Sequence, residues 1–143
     1  MTEKDKELLL QDLCGRLPYG VICKTSKGNG HLCSINQTIF GIEYGINIKA
    51  TERDYFNDRK DIIKPYLRPL SSMTEEEREL LNRMAFRSSL KCFEEEDPQR
   101  VFSLRVKRDV EELAYLYKHH YDVNGLIPAG LALSTDEFNP YKD

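Results

Sequence analysis

Apolar and polar positions change their period twice along the 143-residue chain. Near the start, Leu8, Leu9, Leu10 and Leu13 recur as a short stripe of the kind a helix carries, which predicts a helix over residues 2–15. Thr2 with Asp5 approximates a cap, and Glu3, Asp5 and Glu7 favour the positive end of the helix dipole. Gly15 is the expected terminator, and Pro18 prevents continuation.

From residue 18 the pattern alternates. Residues 19–25 and 31–36 flank a turn-rich stretch, 26–30, that contains two glycines. A symmetric hairpin there sets Cys23 opposite Cys33, with Val21, Cys23 and Thr25 on the same face as His31, Cys33 and Ile35. Residues 38–44 place Thr38, Phe40, Ile42 and Tyr44 on one face, and Gly45 is expected to break that strand. Ile46, Ile48 and Ala50 then alternate with Asn47 and Lys49 in a fourth strand. Residues 51–61 carry seven charged side chains in eleven positions, which predicts a solvated loop. In residues 62–70, Pro65 and Pro69 restrict the resumed extended structure to an edge, because neither can donate a ladder hydrogen bond.

The third part is helical. Thr74 followed by Glu77 forms a capping box at the start of a helix that runs to about Phe93. Leu80, Leu81 and Met84 form one apolar face and Phe86, Leu90 and Phe93 another, so the helix is expected to lie between the β unit and a second helix. The acidic run 94–97 and Pro98 end it. Residues 99–107 fit a strand or a helix start equally. Residues 109–120 read as a helix carrying Val110, Leu113, Ala114, Tyr117 and Tyr121. The apolar segment 126–133 demands burial, and the polar tail 134–143 is expected to be loose.

These elements predict an α+β fold in a single domain, 1–143. Its parts are a helix (1–17), a small SH3-like five-stranded barrel (18–71), and a helical part with a tail (72–143) packed on the barrel. Four short strands are too small to be stable alone, and a meander buries its apolar face best by curling.

Composition adds few constraints. Hydrophobic residues make up 40% and charged residues 31%, values ordinary for a globular protein, and the net charge of −3 provides no global basic field. The charge is nonetheless uneven: the 18–71 segment sums to +3 (8 basic, 5 acidic), and residues 72–143 to −5 (10 basic, 15 acidic). No window approaches a signal peptide or a membrane span. Cys14, Cys23, Cys33 and Cys92 are widely spaced, as expected of reduced thiols in a cytoplasmic protein.

Candidate chemistry is sparse. Cys33 lies two residues from His31, the minimal pairing for a thiol hydrolase, but its flanks match no such signature, and a structural thiol is the better reading. Adjacent His119 and His120 point about 100° apart on a helix, too far to share an ion easily, and the cysteine spacings do not fit zinc pairs; no metal and no cofactor are expected. The 27–30 glycine cluster lies in a hairpin rather than between a strand and a helix, so it reads as a turn and not as a phosphate loop. The carboxylate runs read as solvated faces.

The strongest specific chemistry is nucleic-acid binding by Lys24, Lys27, Lys49, Arg53, Arg59 and Lys60 with Tyr55. In small barrels, basic grooves and aromatic platforms combine to hold single strands. Lys64, Arg68, Tyr44, Phe56 and Tyr66 fall in the same segment, where the plainer reading is core aromatics and lysines that keep edge strands soluble.

The stretches 62–77 (IIKPYLRPLSSMTEEE) and 121–133 (YDVNGLIPAGLAL), with the opening 8–21 (LLLQDLCGRLPYGV), resemble a group of short uncharacterised proteins of gut anaerobic bacteria and their phages and mobile elements. Residues 86–107 are longer here than in typical members. The resemblance implies a phage or mobile-element accessory protein and transfers no catalytic residue. The expected function is therefore a non-enzymatic protein-interaction module with a protein partner and no membrane association. Its contact loops would be 26–30 and 51–61, since binding residues concentrate on loops held by a rigid scaffold. A nucleic-acid-binding regulator using the basic barrel face is the alternative.

Overall fold

The computed structural model describes residues 1–49 and 52–142, without the side chains of Ser88, Ser89, Cys92 and Phe93. The inward position expected for Ala50, the loop start at Thr51, the apolar role of Phe93 and the thiol of Cys92 lie outside the described residues. The architecture is α+β, with three helices and a six-stranded mixed sheet.

Helix α1 (Glu3–Arg16) starts at a complete capping box: Thr2 Oγ1 accepts from Asp5 N at 3.1 Å, and Asp5 Oδ2 accepts from Thr2 N at 3.1 Å. Gly15 lies inside this helix rather than ending it, and a 3₁₀ turn over Leu17–Tyr19 follows, closed by Gly20 at φ 71°. The strands are β1 (Ile22–Thr25), β2 (Gly28–Thr38), β3 (Gly41–Lys49), β4 (Glu52–Asn57), β5 (Lys64–Leu67) and the short β6 (Leu133–Ser134). Their order is β4-β3-β2-β1-β5-β6. All neighbours are antiparallel except β5 and β6, which run parallel.

The expected five-stranded SH3-like barrel is not formed. Among the described residues β4 and β6 are the two edges and do not pair, so the sheet is open. Its apolar side is covered by α1 and the 126–132 segment instead of by closure. Leu9, Leu13, Val21, Cys23, Leu32, Tyr44, Ile46, Phe56, Leu67 and Leu126 meet in one core.

Three local readings are corrected by the register. The first turn is tight, with Thr25 opposite Gly28, so Cys23 faces Gly30 and His31 faces Ile22. Cys33 lies where the β2–β3 register shifts, between Leu32 and Ser34, and has no cross-strand partner of its own. Gly45 does not break a strand. It lies inside β3 between Ser34 and Tyr55, and a Cβ there would run into the Ser34 hydroxyl and come within 2.9 Å of Arg53 Cδ. The predicted loop 51–61 is mostly strand β4, held on β3 with Tyr44 opposite Phe56.

Helix α2 (Glu75–Glu94) begins at the Thr74–Glu77 capping box. Helix α3 spans Pro98–Lys118, which makes 99–107 helical; Asp97 caps it, accepting from Gln99 N at 3.1 Å, and Pro98 takes the first position. The two helices form a hairpin. The tail is not loose: Thr135 N donates to Leu67 O at 2.9 Å, and Tyr141 Oη donates to Tyr66 O at 2.8 Å and accepts from Ile22 N at 3.0 Å. No described helix is long and apolar enough to cross a membrane.

Candidate functional surfaces

A buried polar latch joins α1 to the end of α3. Asp12 and Arg16 are one helical turn apart, and both side chains are fully buried. Arg16 Nε donates to Asp12 Oδ2 at 2.6 Å, and its Nη2 donates to Asp12 Oδ1 at 3.0 Å and to Tyr121 O at 2.6 Å. Its guanidinium lies 4.7 Å from the centre of the Tyr117 ring. Asn124 Nδ2 adds a bond to Asp12 Oδ1 at 2.8 Å. Gly15 lets the Tyr117 ring approach, because a Cβ there would sit 2.6 Å from Tyr117 Cε2. The two charges pair and share these bonds, while Arg16 Nη1 is buried with no hydrogen-bond partner among the described residues.

A second cluster ties β5 to α2. Arg68 forms a two-pronged pair with Glu77, Nη1 to Oε2 at 3.1 Å and Nη2 to Oε1 at 2.8 Å, while Tyr121 Oη donates to Glu77 Oε2 at 2.6 Å. The Arg68 hydrogen bonds lead in holding the Glu77 carboxyl down to about 2, with help from Tyr121 and the Thr74 backbone. Burial, then the bond to Glu77, pushes the Tyr121 phenol up.

Beside this cluster a groove of about 600 Å³ is lined by Arg68, Lys118, His119, His120, Asp136 and Tyr141, among others. His120 occupies the left-handed position that closes α3, at φ 65°, with His120 N donating to Tyr117 O at 3.0 Å and Tyr121 N to Leu116 O at 2.9 Å. Glycine is the favoured residue at that position. Here a histidine stands there with its ring stacked on Tyr141 at 3.8 Å and 9°. Burial, then the Arg16 charge, lowers His120 to about 4, so the imidazole is neutral at pH 7. Of the side chains that line this groove, Arg68 is engaged by Glu77 and the His120 imidazole is neutral. No group of His, Cys, Asp and Glu able to hold a metal occurs among the described residues.

The register places Lys24, Arg53 and Tyr55 of the expected nucleic-acid-binding set on one face of the sheet. Lys24 and Lys60 meet Lys64 around a groove of about 490 Å³ that also includes Ile62. Arg53 lies in a cross-strand row with Asn47 and His31, and Tyr55, 55% exposed, stands two residues on along β4. Lys27 is paired with Asp54 at 3.3 Å. Lys49 lies at the exposed end of β3, and Arg59 is in the turn after β4, packed near Gly41 and Asp58. The Cys33 thiol donates to the His31 backbone carbonyl at 3.3 Å, not to its ring. Cys23 is buried, and desolvation raises its thiol to about 12, so it is no nucleophile at neutral pH.

The largest unexplained feature is the α2–α3 hairpin. The expectation that α2 lies sandwiched between sheet and helix fails. Helix α2 packs chiefly on α3, Leu81 and Met84 are half-buried, and Leu80, Phe86 and Leu90 are exposed on α2, as are Phe102, Val106, Val110 and Leu113 on α3. Neither helix has a fully buried side chain among the described residues. No family model, curated protein or solved structure matches the chain.

The hairpin surface could have been read from the sequence. The spacing 102, 106, 110, 113 and 117 is a complete helical stripe once 99–107 is taken as helix, and a stripe without a facing element in the prediction was the available signal.

Proposed function

We propose that this chain is a non-enzymatic protein-interaction module that works through the α2–α3 hairpin. One observation carries the reading: seven large apolar side chains, at 41–69% exposure, stand on the two longest helices, neither of which has a fully buried side chain among the described residues. Exposed apolar surface on this scale marks contact sites. The contact surface thus moves from the loops 26–30 and 51–61 to the hairpin. The reading as a cytoplasmic accessory protein of a phage or mobile element rests on the resemblance of residues 62–77 and 121–133 alone.

The test is capture from host lysate with wild type and with Phe102→Ser/Val110→Ser as baits. A defined protein retained by the wild type and lost from the variant supports the reading; equal retention on both baits rejects the hairpin as the contact surface. Nucleic-acid binding is the second reading, favoured by the convergence of Lys24, Lys60 and Lys64 on one groove. It requires heparin retention that falls steeply with salt and falls again in Lys24→Ala/Lys64→Ala.

A further inference from the structure

We infer that the partner of the hairpin is a second copy of this chain, with α3 packed antiparallel on α3 of the partner about a two-fold axis near Arg108. The inference rests on the reading of the hairpin as a contact surface and names its occupant.

From Pro98 to Arg108, α3 carries Arg100, Arg105, Lys107 and Arg108 and no acid; from Asp109 to Tyr117 it carries Asp109, Glu111 and Glu112 and no base. The helix dipole does not explain this order, because cations near an N-terminus are unfavourable. Intrahelical pairing absorbs only part of it, through Lys107–Glu111 at 4.0 Å and Arg108–Asp109 at 3.3 Å. Among the described residues Arg105 and Glu112 make no ion pair. At 100° per residue they lie on the same edge of the stripe formed by Phe102, Val106, Val110 and Leu113.

The apolar and charge patterns share one centre. Phe102 and Leu113, the ends of the exposed stripe, are centred between Lys107 and Arg108. The charge changes sign one residue later, between Arg108 and Asp109. A two-fold axis there brings Val106 of one copy to Val110 of the other, and Arg105 to Glu112, each twice. Parallel packing would instead set like charges together. A surface complementary to itself about one point is what an isologous dimer requires.

Phe102, 69% exposed, offers roughly 140 Å² on the aromatic side-chain scale, and the four stripe residues together offer roughly 400 Å² per copy. With the polar flanks of a helix about 30 Å long, the pair reaches the low end of specific interfaces, about 1,200 Å² in total. A weak, reversible dimer is what an interface of that size supports.

Sedimentation equilibrium of the full chain tests this, with wild type, Arg105→Glu, Glu112→Arg, the double swap, and Val110→Glu. The expected result is a reversible dimer, weakened about tenfold by either single swap through two lost and two repulsive pairs. The double swap restores it, and Val110→Glu abolishes it. All five proteins should give the same circular dichroism, since the altered side chains are exposed or half-buried. A wild-type monomer at 100 micromolar overturns the self-pairing, as does a dimer indifferent to the swaps. Either outcome leaves the lysate capture as the separate judge of the hairpin as a surface for another protein.

Discussion

In the sheet half of the molecule, Leu13, Ile46, Leu67 and Leu126 are fully buried, and even the charged pair Asp12–Arg16 is withdrawn from water, with hydrogen bonds to all but Arg16 Nη1 of its guanidinium. On the hairpin, Phe86, Phe102 and Val110 remain at least 60% exposed, although they carry the same kind of apolar surface. Burial of such side chains is the main favourable contribution to folding. The core of the sheet half gains it internally and leaves apolar side chains exposed at turns and edges, such as Ile39, Phe40 and Ile62, whereas the hairpin leaves much of it unclaimed along two whole helices. Substitutions should therefore cost stability in the first region and contact in the second.

The largest stability effect belongs to the latch. Asp12→Ala leaves Arg16 charged, buried and short of its partner, so urea unfolding should show a loss of about 3–5 kcal/mol. A loss under 1 kcal/mol would mean that the pair is reached by water. Gly15→Ala comes next: its new methyl meets the Tyr117 ring, at a cost of about 1–3 kcal/mol, partly relieved when combined with Tyr117→Ala.

The acid limb of stability separates two further groups. Glu77 is depressed to about 2 from 4.5, so its stabilisation is complete above pH 4.5 and is lost as pH falls through about 2. Glu77→Gln should be less stable at pH 7 by about 1.5 kcal/mol, with the gap closing across that window. His120 is depressed to about 4 from 6.5; the unfolded chain binds its proton first, so stability falls as pH drops from 6.5 to 4. His120→Phe keeps a ring to stack on Tyr141 and should flatten that window alone in a pH series of thermal midpoints. The smallest stability effect is expected on the hairpin, where surface substitutions stay within about 0.5 kcal/mol.

The same division governs what the sequence discloses. The caps at Thr2–Asp5 and Thr74–Glu77 are readable because their partners are three residues apart. The alternation of Val21, Cys23 and Thr25 likewise identifies a strand with a buried face. Register is not readable in this way: a five-residue loop and a tight Thr25–Gly28 turn fit the same glycines, and the choice moves Cys33 away from Cys23. Strand β4 escapes notice because an edge strand needs few apolar residues, and only Phe56 of its six is buried. Open sheet and barrel share one local pattern as well. The difference lies in β6 and the 126–132 segment, some 60 residues downstream of β5, where they cover the sheet.

For the candidate surfaces, Asp12 and Arg16 have the spacing of a helical ion pair, but their burial depends on Tyr121 and Asn124, over 100 residues away. The Arg68–Glu77 pair and the His120–Tyr141 stack are long-range in the same sense, or depend on a local conformation that histidine rarely adopts. The basic residues were visible one by one, while the placing of Lys24 and Arg53 on one sheet face and of Lys27 and Arg59 in turns follows only from the register.

The central claim is that the hairpin's outer residues serve contact with another chain rather than the fold of their own. Guanidinium unfolding of Phe102→Ser/Val110→Ser beside the wild type, at submicromolar protein, tests it most directly. The two should unfold within about 0.5 kcal/mol of each other. A loss of about 2 kcal/mol or more would place these side chains in the protein's own core and contradict the account.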